Sequence, residues 1–190
     1  MNKIKIAIFG LGVVGSHVVK LLEKNRFNLN GSKFEIVALG AKNKSKKRNF
    51  NVKKYQWVSN FSDLEKYTKP DLIIETIGGT GTYINKLYSY CINNGISLIT
   101  ANKAQLAENG EKYFTHFDNQ NLYLGFEAAV LGAVPVVRSI EQSVLPAKIK
   151  SIYGIFNGTT NYIISQMYGN KISFQESLNQ AIKSGFAEQD

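Results

Sequence analysis

The chain has 190 residues, is 44% hydrophobic and carries a formal charge of +9. That composition suits a globular core and argues against a disordered chain, and no apolar run approaches the length of a membrane-spanning helix. The single cysteine, Cys91, excludes an internal disulfide. Together with an opening, MNKIKIAIFG, that enters a strand without a signal-peptide pattern, this predicts a cytoplasmic protein.

Lys3 to Lys24 reads as strand, glycine turn and helix. Ile4, Ile6 and Ile8 alternate with Lys5 and Ala7, Gly10, Gly12 and Gly15 form G-x-G-x-x-G, and Val14, Val18, Leu21 and Leu22 recur at helical spacing. In such a turn the first glycine permits the bend, the second lets backbone approach a pyrophosphate and the third lets helix and strand pack closely. The helix N-terminus then offers N–H groups and partial positive charge to phosphate. The strand–turn–helix context supports a dinucleotide site; the alternative is a domain that keeps the glycines for packing alone.

Asn28, Asn30 and Gly31 break the helical pattern, and Phe34 to Leu39 reads as a second strand. Its end is where a dinucleotide fold reads the ribose, usually with Asp or Glu for NAD. Here the segment is Gly40-Ala41-Lys42-Asn43-Lys44-Ser45, with no acid. Lys42 and Lys44 would attract a 2′-phosphate, favouring NADP or tolerance of both cofactors; otherwise they are solvated surface lysines. The basic run Lys42 to Lys54 is a weak footprint for nucleic acid, and no nucleic-acid motif accompanies it.

Ser62-Asp63-Leu64-Glu65 has the form of a capping box opening a short helix. Asp71 to Thr76 is a continuous apolar strand of the kind buried on both faces. It leads into Ile77-Gly78-Gly79-Thr80-Gly81, a second glycine turn at a strand's carboxyl end, where open α/β sheets bind ligands. A helix with Ile84, Leu87 and Cys91 on one face follows and closes at Gly95, making Cys91 a core residue more readily than a catalytic thiol. Ile96 to Thr100 is the next strand and delivers Ala101-Asn102-Lys103 to the same edge, which places Lys103 to touch substrate or nicotinamide. Gly110 begins or precedes a further helical piece. His116 within it and His17 on the first helix read as structural. Leu122 to Phe126 is the last strand of this half.

Pro135 suits the first turn of a helix ending near Gln142, and Pro146 ends the connection. Lys148 to Phe156 alternates like a half-buried antiparallel strand, Asn157 to Tyr162 opens a helix, and Ser173 to Glu176 is another capping box whose helix packs through Phe174, Leu178, Ala181 and Ile182 before Gly185 caps it. The expected architecture is α/β: a Rossmann NAD(P)-binding domain with a parallel sheet over residues 1–130, then part of an α+β dimerisation and substrate domain over 131–190.

The chain resembles homoserine dehydrogenase. The resemblance is carried by Gly10-Leu11-Gly12-Val13-Val14-Gly15, Glu75-Thr76-Ile77-Gly78-Gly79, Thr100-Ala101-Asn102-Lys103, Phe126-Glu127-Ala128-Ala129-Val130, Tyr153 to Ile163, and Gly185-Phe186-Ala187-Glu188. The Asn157-Gly158-Thr159-Thr160-Asn161-Tyr162-Ile163 block and the final segment are far more specific than the glycine fingerprint. The resemblance implies reversible NAD(P)-dependent interconversion of L-homoserine and L-aspartate 4-semialdehyde, a step towards threonine, methionine and isoleucine, by an enzyme that dimerises. By position, Gly10 to Gly15 would cradle the cofactor phosphates, Lys42 would lie near the adenosine phosphate, and Thr76, Gly78, Gly79 and Thr80 would line the cleft. Lys103 would contact cofactor and substrate, and Glu188 would hold the homoserine amino group. Glu127, Val130, Gly132 and Val134 would bind sodium, mostly through carbonyl groups, although Leu131 and Ala133 stand at small or glycine positions of the family. The family's proton-shuttling lysine follows the Glu188 segment and is not within these residues, so the chain resembles the N-terminal portion of a longer enzyme and is expected to bind cofactor but turn over little homoserine. A cofactor-binding sensor without chemistry explains the first 100 residues equally well but not the later motifs; a thiol-dependent semialdehyde dehydrogenase would need a cysteine placed otherwise than Cys91.

Overall fold

The computed structural model describes residues 3–24, 33–132, 134–143 and 148–187. The chain forms two compact units, Met1–Ala129 and Val130–Asp190.

The first unit is built on a six-stranded parallel sheet. Its strands are β1 (Lys3–Phe9), β2 (Lys33–Gly40), β3 (Gln56–Trp57), β4 (Leu72–Glu75), β5 (Ser97–Thr100) and β6 (Leu124–Gly125), in the order β3-β2-β1-β4-β5-β6. Parallel neighbours need crossover connections. Helix α1 (Val13–Glu23) links β1 to β2, α2 (Thr82–Asn93) links β4 to β5, and α3 (Lys103–Asn119) links β5 to β6. The side-chain period of two divides the strands between two cores. Ala7, Phe9, Ala38, Ile73 and Leu98 pack with Ile84, Leu87, Tyr88, Tyr113 and Phe117 of α2 and α3. Ile6, Ile8, Leu39 and Ile74 pack with Val19 of α1. Helices therefore cover both faces, and the strand order reverses between β1 and β4, which is where such sheets bind ligands.

The helix ends follow local chemistry. After α2, Gly95 takes φ +63°; its N–H donates to Ile92 O and the next N–H, of Ile96, donates to Cys91 O, a Schellman closure. Asn121 does the same after α3 at φ +55°, with the N–H of Leu122 donating to Phe117 O. Cys91 is fully buried, and burial pushes its thiol well above the ordinary range. It has neither the exposure nor the ionisation of a nucleophile.

Several expectations are corrected. On α1 the buried residues are Gly15, Ser16 and Val19, whereas Val14 and Leu21 are exposed; the helix is turned so that Gly15, not a large side chain, meets the strand end. Gly110 lies inside α3 rather than at its start, because Asn102 caps that helix by accepting from Gln105 N. The turn at Phe61–Lys66 is 3-10, capped by Asn60 rather than Ser62. Strand β3 is a two-residue edge strand, too short for a period-two pattern to stand out in the sequence.

The second unit contains α4 (Val136–Ser143), α5 (Gly158–Gly169) and α6 (Phe174–Lys183). Ser173 caps α6, accepting from Glu176 N at 3.2 Å. Ser177 and Ala181 are the buried residues of that helix and Phe174 is exposed. Lys148 to Phe156 forms no strand and is exposed: no other strand among the described residues of this unit offers it a hydrogen-bonding partner.

Candidate functional site

Both glycine turns lie at the switch point and are tied together. Gly10 takes φ +92°, and a Cβ there would fall 2.5 Å from the backbone of Thr76. Thr76 N–H donates to Phe9 O at 2.8 Å and its hydroxyl donates to Gly10 O at 2.6 Å. A Cβ on Gly15 would sit 1.9 Å from Gly10 O and 2.6 Å from Thr76 Oγ1. Gly10 and Gly15 are thus required by close approach. Gly12 differs: a Cβ there would meet nothing within 4 Å. Gly12 is the N-cap of α1 and no side chain caps that turn, so its first N–H groups point outward beside exposed Val13 and Val14. That bare helix N-terminus, with backbone accessible at Gly12, fits a phosphate.

The basic segment after β2 is ordered by a residue that the sequence did not single out. Arg48 donates from Nη2 to Asn43 O at 2.7 Å, from Nη1 to Lys46 O at 2.9 Å and from Nε to Leu11 O at 3.4 Å. Its guanidinium lies 5.5 Å from the Trp57 ring centroid. Arg48 thereby straps the segment to the fingerprint turn. Lys44 also sits over Trp57, at 6.0 Å, beside a cavity of about 610 Å³ lined by Phe50, Lys53 and Tyr55 among others. Lys42 is exposed just beyond β2. A motif of arginine followed by aromatic residue across a loop has no fixed spacing, so only the fold reveals it.

The second glycine turn is held from beneath. Gly78 and Gly79 take φ +80° and +72°, and with Thr80 they are exposed while Thr76 is half-buried. The carboxylate of Glu75, fully buried, accepts from Ile77 N at 2.6 Å and Gly78 N at 3.2 Å. Thr100 donates to its other oxygen at 2.7 Å. Tyr88 donates to Thr100 Oγ1 at 2.9 Å, and burial foremost drives the Tyr88 hydroxyl far above its ordinary pKa, so it remains a donor. Asn102 donates to Gly79 O at 2.7 Å while capping α3. Lys103, the first residue of α3, is exposed. The fingerprint, the Thr76 to Thr80 turn and the start of α3 are therefore one hydrogen-bonded assembly.

The other expected residues are placed separately. Glu127 lies in a 3-10 turn, Glu127–Ala129, of the first unit. Val130, Gly132 and Val134 belong to the second, where Leu131 and Gly132 take φ +55° and +60°. Glu188 lies outside the described residues. Just before it, Gly185 at φ +74° closes α6, with Phe186 N donating to Ala181 O. Asn157 caps α5, Thr159 donates to Phe186 O, and Tyr162 packs on Phe186 with centroids 4.9 Å apart. The two most specific stretches of the later sequence thus meet each other.

A doubly wound parallel sheet with a phosphate-binding turn at its switch point defines a dinucleotide-binding α/β protein of the Rossmann class. Comparison narrows this. Residues 10–125 match the family described as "Homoserine dehydrogenase, NAD binding domain" and residues 135–190 match "Homoserine dehydrogenase". The chain belongs to the homoserine dehydrogenase family. It is 33% identical to the homoserine dehydrogenase of Neisseria gonorrhoeae, over all of this chain and 44% of that protein. It is 35% identical to that of Synechocystis, over 98% and 43%. The crystal structure of a homoserine dehydrogenase from Thiobacillus denitrificans superimposes with a TM-score of 0.86 at 28% identity, over all of this chain and 44% of that one. The chain thus spans less than half the length of these relatives.

Proposed function

We propose that the chain supplies the cofactor-binding half, and the start of the substrate domain, of an enzyme that interconverts L-homoserine and L-aspartate 4-semialdehyde in amino-acid biosynthesis in the cytoplasm. The observation that carries this reading is the single hydrogen-bonded assembly that puts the fingerprint, the Thr76 to Thr80 turn and Lys103 at one edge of the sheet. The bound nicotinamide dinucleotide supplies a hydride acceptor. The first turn of α1 from Gly12 to Gly15 holds its phosphates, with Gly10 and Leu11 forming the approach, and Thr76, Gly78, Gly79 and Thr80 line its cleft. Lys42 faces the adenosine phosphate, so NADP is the preferred cofactor and NAD the weaker one. Lys103 contacts cofactor and substrate oxygen, and its ammonium stabilises charge on that oxygen. Glu188 receives the substrate ammonium.

Oxidation of homoserine also requires a base for the hydroxyl proton, and general acid–base catalysis contributes roughly 10²–10⁴ in rate. The family resemblance puts the proton-shuttling lysine outside residues 1–190. We extend the proposal to a homodimer and to sodium held near Glu127, Val130, Gly132 and Val134, both resting on the resemblance. Among the described residues no helix is long and apolar enough to cross a membrane.

The test is to titrate residues 1–190 with NADPH and NADH by fluorescence and to assay homoserine oxidation. Tight NADPH binding with turnover reduced at least about a hundredfold relative to the intact enzyme is expected. Failure to bind either cofactor would refute the reading; full activity would refute the assignment of the base.

A further inference from the structure

Glu75 is a fully buried carboxylate, and no lysine or arginine among the described residues pairs with it. Such a group is costly unless hydrogen bonds replace its hydration. The donors it has recruited are Ile77 N and Gly78 N, just past the end of β4 where the backbone leaves the ladder, on one oxygen, and on the other the hydroxyl of Thr100 at the end of β5 and, at 3.4 Å, that of Tyr88. Thr100 Oγ1 in turn accepts from Asn102 N at 2.9 Å, and Asn102 returns to the turn through Gly79 O. The bonds close a ring from Gly78 through Glu75, Thr100 and Asn102 to Gly79. Thr100 is fully buried, so nothing bound in the cleft touches it.

We infer that Thr100 is a positioning residue for the dinucleotide: its hydroxyl locks the Ile77 to Gly79 turn to the N-terminus of α3, presetting the cleft wall and Lys103 together. The inference rests on the cofactor reading above. A glycine turn at positive φ has many alternative conformations available, and binding to a fraction of them lowers apparent affinity by that fraction. Threonine is suited to the task because its short hydroxyl donates to the carboxylate and accepts from the Asn102 amide simultaneously. Valine has the shape of threonine, so Thr100→Val removes the hydroxyl, and with it the acceptor of the Tyr88 hydroxyl and the Asn102 amide, without a large change in volume.

The experiment measures NADPH affinity and thermal stability of the purified protein and four variants. Thr100→Val should weaken NADPH binding about tenfold or more, the loss expected when a hydrogen bond to a charged group is removed. Thr100→Ser, which keeps the hydroxyl, should stay within about threefold of the parent on the same scale. Asn102→Ser keeps a capping oxygen for α3 but cannot reach Gly79 O, and should resemble Thr100→Val; it decides the matter if Thr100→Val does not fold. Tyr113→Phe removes a buried hydroxyl that donates to Asn85 outside the ring, and should lower stability while leaving affinity unchanged. The inference is overturned if Thr100→Val, or Asn102→Ser in its place, binds NADPH like the parent. It is equally overturned if Tyr113→Phe weakens binding as much, since the effect would then follow stability alone. A parent protein that binds no NADPH fails at the earlier step, and the cofactor reading falls with the inference.

Discussion

Replacing Gly12 and Gly15 separately by alanine distinguishes the two roles of the fingerprint. The Gly15 methyl would lie 1.9 Å from Gly10 O, against about 3.4 Å for ordinary contact. The first turn of α1 must then move by about 1.5 Å, or Gly10 must give way and break its bond with Thr76. Overpacking of this kind costs about 1–3 kcal/mol, which lowers Tm by roughly 2–12 °C for a chain of this size. Cofactor affinity falls with it, because the displaced N–H groups are those aimed at phosphate. Gly12→Ala meets nothing within 4 Å and has extended backbone at φ −76°, so Tm should stay within about 1 °C, while the methyl occupies the surface the pyrophosphate approaches. Calorimetry with NADPH titration checks both. Equal Tm losses in the two variants, or a Gly15→Ala protein as stable as the parent, would refute this division of roles.

Two further outcomes are expected. Lys42→Ala should weaken NADPH about tenfold or more while sparing NADH, since a charge-assisted contact contributes about 1.5–3 kcal/mol; equal NADPH affinity in parent and variant would leave Lys42 a surface charge. In the intact enzyme, Glu188→Gln should raise KM for homoserine with cofactor affinity nearly unchanged; steady-state kinetics with an unmoved KM would remove Glu188 from the substrate site.

The glycine fingerprint was legible because its requirement is local: three positions within six residues must bend, expose backbone or admit a helix, and only glycine does all three. The Asp71 to Thr76 and Ile96 to Thr100 strands were legible for a similar reason, since burial on both faces leaves an unbroken apolar run. Lys148 to Phe156 shows the limit. Alternation records which side chains a strand would turn inward, but a strand exists only where another strand receives its N–H groups, and that partner is not encoded within the segment. Arg48 shows a different limit. It reads as one of many charges in Lys42 to Lys54, yet its hydrogen bonds go to backbone carbonyls such as those of Asn43, Lys46 and Leu11, which carry no side-chain signature.

Glu75, Thr100 and Asn102 stand between these cases. Each lies inside a motif that carries the family resemblance, so the sequence marked the positions but not their work. The fold separates them from their neighbours by burial: Lys103, Gly78 and Thr80 are exposed, whereas Glu75, Thr100 and Asn102 are each at least 98% buried. A polar side chain in that setting must either satisfy its own hydrogen bonds or destabilise the domain. Thr100 bonds directly to the Glu75 carboxylate and the Asn102 amide, while Glu75 and Asn102 hold the backbone of the glycine turn. The exposed residues of each motif are therefore free to answer to ligand, and the buried ones answer to the geometry that makes ligand contact possible. This division explains how a buried hydroxyl with no route to the cleft can control affinity there.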